Sequence, residues 1–181
     1  TATPIQLANS TAIVAASGQF FTPQLLGASQ GANGLLQLPA DERPPVILRD
    51  NYNWQIAQKG MWGVVNTLGG TAYNVFKGAS YESAGKTGTA QLISIAEDEE
   101  YDEDKISERH RDNAMYVGYA PYDKPEIALT VVVENAGGGG SSAAPIARKL
   151  FDVYLNQRSI SPSLVVNQQS IADRNVVGHT Q

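Results

Sequence analysis

Cysteine is absent from this 181-residue chain, and histidine, tryptophan and methionine occur only twice each. Without cysteine the chain can form no disulfide, no thiol nucleophile and no cysteine-ligated zinc site. Long apolar runs are missing as well: no stretch approaches the roughly 20 consecutive apolar residues that a membrane helix needs. The first residues also lack the basic and apolar regions of a signal peptide.

Positive charge is in deficit, with 13 Lys and Arg against 18 Asp and Glu and a formal net charge of −5. A chain without a basic patch is not expected to bind nucleic acid, because it cannot neutralise phosphates. Seven of the acids fall within residues 97–104, and the rest of the chain holds 13 basic and 11 acidic residues. We interpret this acidic run as a solvated loop, so the net charge reflects one surface feature.

Apolar residues make up 42% of the chain, which is too many for global disorder and enough for about one domain. Three antiparallel strands flanked by helices are predicted, which is an α+β arrangement. Three strands form a thin sheet for so many apolar helices, so we expect part of the structure to be missing. The predicted helices begin at Thr3-Pro4, near Asn53 and at Ser141 or Ser142, and the predicted strands are 84–95, 114–120 and 127–134, the last two forming a hairpin.

Apolar spacing also predicts which helix faces are buried. Gly18 is the expected C-cap of the first helix, and residues 27–50 are expected to be mostly irregular because they carry little periodicity. The strand at 127–134 is apolar on both sides, so both of its faces should be covered. The predicted buried faces comprise Ile56, Ala57, Met61, Val64, Val65 and Leu68 in the second helix, and Ile146, Leu150, Phe151 and Tyr154 in the last.

Three short motifs resemble known sites but fail on geometry. Gly85-Lys86-Thr87 lacks the earlier glycine of a phosphate-binding loop and continues as a strand where a helix should begin. Ser83 and Lys86 match Ser-x-x-Lys, yet in a strand they would point to opposite faces about 10 Å apart. Residues 137–140 are four glycines that do not complete a dinucleotide-binding pattern, and we interpret them as a flexible connection. The two histidines, His110 and His179, are too far apart to suggest a metal site and are expected at the surface.

Lys86-Thr87-Gly88-Thr89 is the candidate site. Alternation along a strand places Thr87 and Thr89 on one face and Lys86 on the other, and Gly88 lets a peptide backbone approach closely. Two hydroxyls and an ammonium could then bind a carboxylate, and a backbone N–H near Thr89 could stabilise an oxyanion. As a bare tetrapeptide the motif is a weak signal, and a structural lysine on an exposed strand is the default interpretation.

The residues around this tetrapeptide favour the functional interpretation. The string at 84–91, Ala-Gly-Lys-Thr-Gly-Thr-Ala-Gln, resembles the third active-site motif of penicillin-binding proteins. The resemblance covers about residues 1–157 in collinear order and is strongest to elongation-type class B members, the penicillin-binding protein 2 group. Residues 106–112 resemble the Gram-negative members of that group in particular. The other matching segments are 3–8, 54–57, 60–66, 70–72, 116–121, 131–135 and 143–148.

The resemblance implies a serine D,D-transpeptidase that cross-links peptidoglycan stem peptides and is acylated by β-lactams. It implies that Lys86 supplies positive charge and orients a serine of the second motif, that Thr87 and Thr89 bind the substrate carboxylate with Gly88 between them, and that the Thr89 N–H is an oxyanion donor. It also implies partners in the cell-elongation machinery, an upstream anchor in the bacterial inner membrane and a catalytic domain in the periplasm. No cofactor or metal is implied.

Two family motifs are absent from the chain. Ser-x-Asn does not occur, and the only Ser-x-x-Lys is the match at Ser83 rejected above. We therefore expect 1–157 to be the C-terminal portion of a transpeptidase domain, inactive alone, and 158–181 to be a polar, mobile tail. Alternative interpretations are a non-catalytic module with this fold, a class D-type serine β-lactamase and, least favoured, a nucleotide-binding protein.

Overall fold

A computed structural model describes residues 2–24, 28–31, 34–37, 43–91 and 110–160, with the backbone alone at 28–31, 34–37 and 157–160. Helices and strands in this part of the chain form an α+β arrangement, as predicted. In chain order the elements are α1 (Pro4–Ala15), β1 (Ala28–Gly31), β2 (Gly34–Gln37), α2 (Tyr52–Asn66), α3 (Tyr73–Phe76), β3 (Ala84–Ala90), β4 (Asn113–Ala120), β5 (Ile127–Val133) and α4 (Ala143–Ile160).

Strands β3, β4 and β5 form an antiparallel sheet in that order, with β4 in the centre. The register pairs Thr87 with Tyr116 and Tyr116 with Val131, so these three side chains share one face. All β4 residues on this face are buried, as expected for a strand packed on a core. They are Ala114, Tyr116, Gly118 and Ala120. Among the described residues, no strand pairs with the other edge of β3, which leaves its backbone groups open there.

Helix α4 covers the face that carries Tyr116. Its alanines let the helix approach the sheet closely, and Phe151 packs against Phe76, whose ring stacks on the Tyr116 ring of β4. Helix α1 contacts β4 and β5 from the other side, where Ala12 and Ala15 line a cavity together with Ala128. The prediction that β5 is covered on both faces is confirmed, although Val132 stays 36% exposed. The core consists of Val65, Ala72, Phe76, Ala114, Tyr116, Ala120, Leu129, Val131, Ala143, Ala144, Ala147 and Phe151.

The prediction that residues 27–50 are irregular is wrong for two segments. β1 and β2 pair antiparallel, from Ala28 with Gln37 to Gly31 with Gly34. Their eight residues include no β-branched or aromatic side chain, which is why strand propensity missed them. The usable signal was the Asn-Gly dipeptide at 33–34, which favours a hairpin turn, although it lies one position later than the gap between the paired strands.

Two helix ends differ from the predictions. Thr3 caps α1 as expected, in a reciprocal pair with Gln6, but the helix ends in a Schellman motif with Ser17 (φ 52°) at the left-handed position. Gly18 is the next residue, so it is not the C-cap. At α2 the predicted cap, Asn53, lies inside the helix, and Asp50 accepts the Tyr52 N–H at 2.8 Å instead.

The predicted buried faces are wrong in part, because small residues were undervalued. In α4, Phe151 is buried, but Ile146 and Leu150 are 42% and 47% exposed while Ala144 and Ala147 face the sheet. In α2 Val65 is buried, with Met61 and Val64 half-buried. Ile56, Ala57 and Leu68, which were assigned to the same buried face, are exposed.

The ends of the sheet and of α4 agree with the predictions to within a few residues. β4 and β5 form the expected hairpin, while β3 ends at Ala90 and Gln91, which was predicted to continue the strand, is not part of it. Residues 92–95 of the predicted strand and the acidic run 97–104 lie outside the described residues. Helix α4 continues to Ile160, into the segment predicted as a tail, whose residues 161–181 are not described. Within the described part of the chain, no helix is long and apolar enough to cross a membrane.

Candidate active site

The four candidate residues lie together at the open edge of the sheet, in the middle of β3. Lys86 and Thr89 are exposed, while Thr87 and Gly88 are half-buried. The register confirms the predicted alternation: Thr87 and Thr89 pair with Tyr116 and Ala114 on the α4 side, and Lys86 pairs with Val117 on the other. The Lys86 ammonium donates a hydrogen bond to the Thr87 carbonyl at 2.6 Å, so the charge stays beside the strand.

The ring of Tyr116 packs against the start of β3. A Cβ atom at Gly85 would lie 2.0 Å from the Tyr116 hydroxyl oxygen, and one at Gly118 would lie 2.7 Å from both the ring and the Ala84 carbonyl. Only glycine therefore fits at these two positions, between which the Tyr116 ring is fully buried. Burial raises the pKa of Tyr116 well above its ordinary range, so its side chain is neutral and acts as packing.

Helix α2 holds the residue that precedes β3. The Asn66 amide donates to the Ser83 carbonyl at 2.8 Å and to the Trp62 carbonyl at 2.9 Å, and the Trp62 indole donates to Glu82 at 3.0 Å. The Ser83 hydroxyl is fully buried without a hydrogen-bond partner among the described residues, whereas Lys86 is exposed. This confirms that Ser83 and Lys86 do not form a Ser-x-x-Lys pair.

A residue that the sequence did not single out, Thr71, reaches the site from the turn after α2. Its Oγ1 lies 2.7 Å from the Thr87 Oγ1, which is an ordinary hydrogen-bond distance between hydroxyls. The two threonines are 16 positions apart, so no local periodicity connects them. A family segment at 70–72 was the only sequence signal in that region.

The four-glycine segment is packed against the site, so its prediction as a flexible joint is wrong. Gly137 and Gly139 are buried, and a Cβ at Gly139 would lie 2.3–2.9 Å from backbone atoms of Met115 and Gly88. A Cβ at Gly140 would lie 2.8 Å from the Thr71 carbonyl. The glycine segment therefore packs against β3 from the α4 side. It can approach the neighbouring backbone this closely because glycine has no side chain.

The arrangement suits an extended ligand that ends in a carboxylate. The unpaired edge of β3 offers backbone groups to a peptide strand, two hydroxyls lie on one face, and a fixed positive charge lies on the other. Nothing here resembles a phosphate-binding loop, because β3 continues through Lys86 to Ala90 without a helix. Among the described residues there is no cluster of three or more potential metal ligands. His110 lies at the surface, which agrees with the prediction for that residue.

The family model of the penicillin-binding protein transpeptidase domain matches residues 1–152. The chain therefore belongs to the penicillin-binding protein transpeptidase family, and its α+β sheet with flanking helices is that family's fold. This confirms the fold class and the resemblance identified in the sequence.

Within the family, several similar proteins are named peptidoglycan D,D-transpeptidase MrdA and come from Gram-negative bacteria, in agreement with the sequence resemblance. The chain is 44% identical over 163 residues to peptidoglycan D,D-transpeptidase MrdA of Haemophilus influenzae and 35% identical over 152 residues to the Escherichia coli K12 protein of that name. These alignments cover 87% and 84% of the chain but 24% of each relative. The chain thus spans about a quarter of the length of these curated relatives.

Solved structures give the same result. A crystal structure of Pseudomonas aeruginosa PBP2 in complex with WCK 5153 matches with a TM-score of 0.67 and 38% identity, covering 85% of this chain and 30% of that one. A complex between PBP2 and MreC from Helicobacter pylori matches with a TM-score of 0.60 and 28% identity, covering 84% and 25%.

Proposed function

We propose that this chain supplies the active-site strand of a peptidoglycan D,D-transpeptidase. The observation that carries the proposal is the Lys86-Thr87-Gly88-Thr89 string in the middle of an edge strand, with its backbone open on one side. The names of the curated relatives support this activity, and a carboxylate-terminated peptide fits the chemistry of the strand.

In the proposed reaction, a serine hydroxyl attacks the penultimate carbonyl of a D-alanyl-D-alanine end and releases the last D-alanine. An amine of a neighbouring stem peptide then attacks the acyl-serine, so the ester breaks, an amide forms and the serine regains its proton. Thr87 and Thr89 bind the terminal carboxylate, and Gly88 allows the peptide backbone to approach. The Thr89 N–H contributes to the oxyanion hole, and Lys86 orients a serine of the second motif and supplies positive charge.

Neither that serine nor the nucleophile is supplied by residues 1–181. Ser-x-Asn is missing from the sequence, and Ser83 is buried and separated from Lys86. We propose that both serines belong to a longer enzyme, called the full-length enzyme below, in which residues 1–157 form the C-terminal portion of the transpeptidase domain. The 181-residue chain alone is then inactive.

The proposed setting is the periplasmic side of the bacterial inner membrane, with an anchor outside residues 1–181. The proposed substrates are peptidoglycan stem peptides, and β-lactams acylate the same serine as substrate mimics. Proteins of the cell-elongation machinery are the proposed partners, which the Helicobacter pylori PBP2–MreC complex supports by analogy.

Covalent labelling with a fluorescent penicillin tests the proposal. The full-length enzyme should form a stable adduct, the 181-residue chain should form none, and Lys86→Ala should reduce the labelling rate by at least about 100-fold. Lys124→Ala, an exposed lysine in the β4–β5 turn, is the matched control and should label normally. An adduct on the isolated chain would contradict its inactivity, and unchanged labelling of Lys86→Ala would overturn the assigned role. Rapid hydrolysis of the adduct would favour a β-lactamase.

A further inference from the structure

We infer that Thr71 is a positioning residue for carboxylate recognition: its hydroxyl donates to the Thr87 Oγ1 and thereby directs the single Thr87 proton at the ligand. The inference rests on the proposed function, in which Thr87 binds the substrate carboxylate. It adds Thr71, which lies outside β3, to the residues of the site. It also explains how the proton of the Thr87 hydroxyl is oriented toward the ligand.

A hydrogen bond joins the Thr71 and Thr87 hydroxyls. The oxygens lie 2.7 Å apart, and either hydroxyl can be the donor. An ionised carboxylate can only accept, so a ligand on Thr87 requires that hydroxyl to donate. The Thr87 oxygen must then accept from Thr71, and the pair forms a chain of two hydrogen bonds that ends at the ligand. Each bond polarises the next, which strengthens the contact with the anion.

Thr71 can orient its partner because its own backbone is fixed. The Ala72 N–H donates to the Val64 carbonyl at 3.1 Å, and the Gly70 N–H donates to the Thr67 carbonyl at 2.8 Å. The Ala72 side chain is 1% exposed, which anchors the turn in the core.

The neighbouring glycines hold the same turn from two sides. A Cβ at Gly70 would lie 2.3 Å from the Val64 carbonyl oxygen, and Gly140 lies directly against the Thr71 carbonyl. The hydroxyl of Thr71 thus sits at a set place relative to β3. Threonine is also restricted about χ1, so little entropy is lost when the contact forms.

This hydrogen bond contributes little to folding. Thr71 is exposed and Thr87 is half-buried, so water can replace either partner in the free protein. Removing the Thr71 hydroxyl is therefore expected to weaken ligand binding and to leave the free energy of unfolding nearly unchanged. That separation makes the inference testable.

The test measures the second-order acylation rate of the full-length enzyme by benzylpenicillin and by its methyl ester, which lacks the carboxylate charge. Thr71→Val should lower the benzylpenicillin rate about five- to tenfold, which corresponds to one lost hydrogen bond of about 1 kcal/mol. It should leave the rate with the ester unchanged within about twofold. Thr71→Ser keeps the hydroxyl and should restore the benzylpenicillin rate.

Thr67→Val, an exposed threonine in the same turn, is the matched control, and thermal unfolding should show that all variants fold alike. Equal losses with the acid and the ester, or no rescue by serine, would overturn the positioning role. A Thr71→Val enzyme that reacts with benzylpenicillin like the unmodified enzyme would overturn it too. If the unmodified enzyme forms no acyl adduct, the proposed function itself fails, and the inference fails with it.

Discussion

At the scale of single residues, the glycines are as important to the geometry of this site as the hydroxyls and the lysine. They let backbone segments approach each other closely because they carry no side chain. Gly139 lies over the backbone of Gly88 and Met115, where a Cβ atom would come within 2.9 Å of three atoms. Backbone cannot rotate out of the way as a side chain can, so an added methyl group must displace β3 or the glycine segment.

Gly139→Ala should therefore destabilise the full-length enzyme by about 3 kcal/mol and slow its labelling by penicillin, because β3 moves. Chemical unfolding and labelling rates measure the two effects. Gly138→Ala is the matched control, since its Cβ would meet only the Ser141 side chain, at 3.3 Å. Equal stability of the two variants would contradict the packing described for Gly139.

Tyr116, which is fully buried, and Tyr81, which is half-buried, should respond oppositely to loss of the hydroxyl. The Tyr116 hydroxyl is buried without a partner among the described residues, whereas the Tyr81 hydroxyl donates to Asp152 at 2.8 Å. Tyr116→Phe should thus be neutral or stabilising by up to about 1 kcal/mol, and Tyr81→Phe should destabilise by about 1 kcal/mol. Urea unfolding of both variants compares them, and the reverse order of stability would show that the Tyr116 hydroxyl has a partner.

The sequence predicted the start of β3 and the faces of its residues correctly because strand periodicity is local. Alternation alone separated Lys86 from Thr87 and Thr89, and the register confirms that division. Thr71 and Gly139 were beyond that reasoning, since both join the site through tertiary packing over long separations. The closest available signal was the family segment at 70–72, which indicated a region and no contact.

At the scale of elements, one side chain joins the short helix α3 to α4. Arg148 donates to the carbonyls of Val75 and Phe76 at the end of α3, at 3.3 and 3.1 Å, and its Nε lies 2.9 Å from Asp152 in the next turn of α4. Its guanidinium also lies over the rings of Phe76 and Tyr81. These contacts cap α3, which is too short to be stable alone.

Arg148→Ala should destabilise the enzyme by about 2 kcal/mol, because it leaves two carbonyls of α3 without their donor and removes the ion pair with Asp152, whose carboxylate then keeps the Tyr81 hydroxyl as its donor among the described residues. Arg148→Lys should recover less than half of that loss, since an ammonium cannot reproduce the planar fork. Thermal unfolding measures both, with exposed Lys149→Ala as the control. Full recovery by lysine would mean that charge alone joins the two helices.

Elements with strong periodicity were predictable, and those defined by small residues were not. β4, β5 and the start of α1 follow from alternation and from a Thr-Pro cap. The buried side of α4 was misassigned because Ala144 and Ala147 pack more closely against the sheet than Ile146 or Leu150 could. Burial depends on how closely two elements approach, and hydrophobicity alone does not contain that distance.

At the scale of the whole molecule, three tyrosines couple stability to alkaline pH. Burial raises the pKa of Tyr81, Tyr116 and Tyr119 well above the ordinary value, and for Tyr81 a hydrogen bond to Asp152 adds to the effect. In the unfolded chain these groups titrate near pH 10. The unfolded state therefore loses protons first, and stability falls as the pH rises above about 10.

The midpoint of urea unfolding, measured from pH 8 to pH 11, should decrease mainly above pH 10. Tyr119→Phe should flatten that decrease, because it removes one of the groups that ionise preferentially in the unfolded state. Tyr52→Phe changes a tyrosine that is 61% exposed and should leave the profile as it was. A profile that is flat between pH 9 and pH 11 would contradict the burial assigned to these side chains.

The central claim is that β3 receives the carboxylate of a substrate or β-lactam at Thr87 and Thr89. A crystal structure of the full-length enzyme acylated by penicillin tests it most directly. We predict that the ligand lies along the open edge of β3, with its carboxylate about 3 Å from the Thr87 and Thr89 hydroxyl oxygens and the Thr71–Thr87 hydrogen bond in place. A carboxylate bound elsewhere, with no contact to β3, would contradict the account.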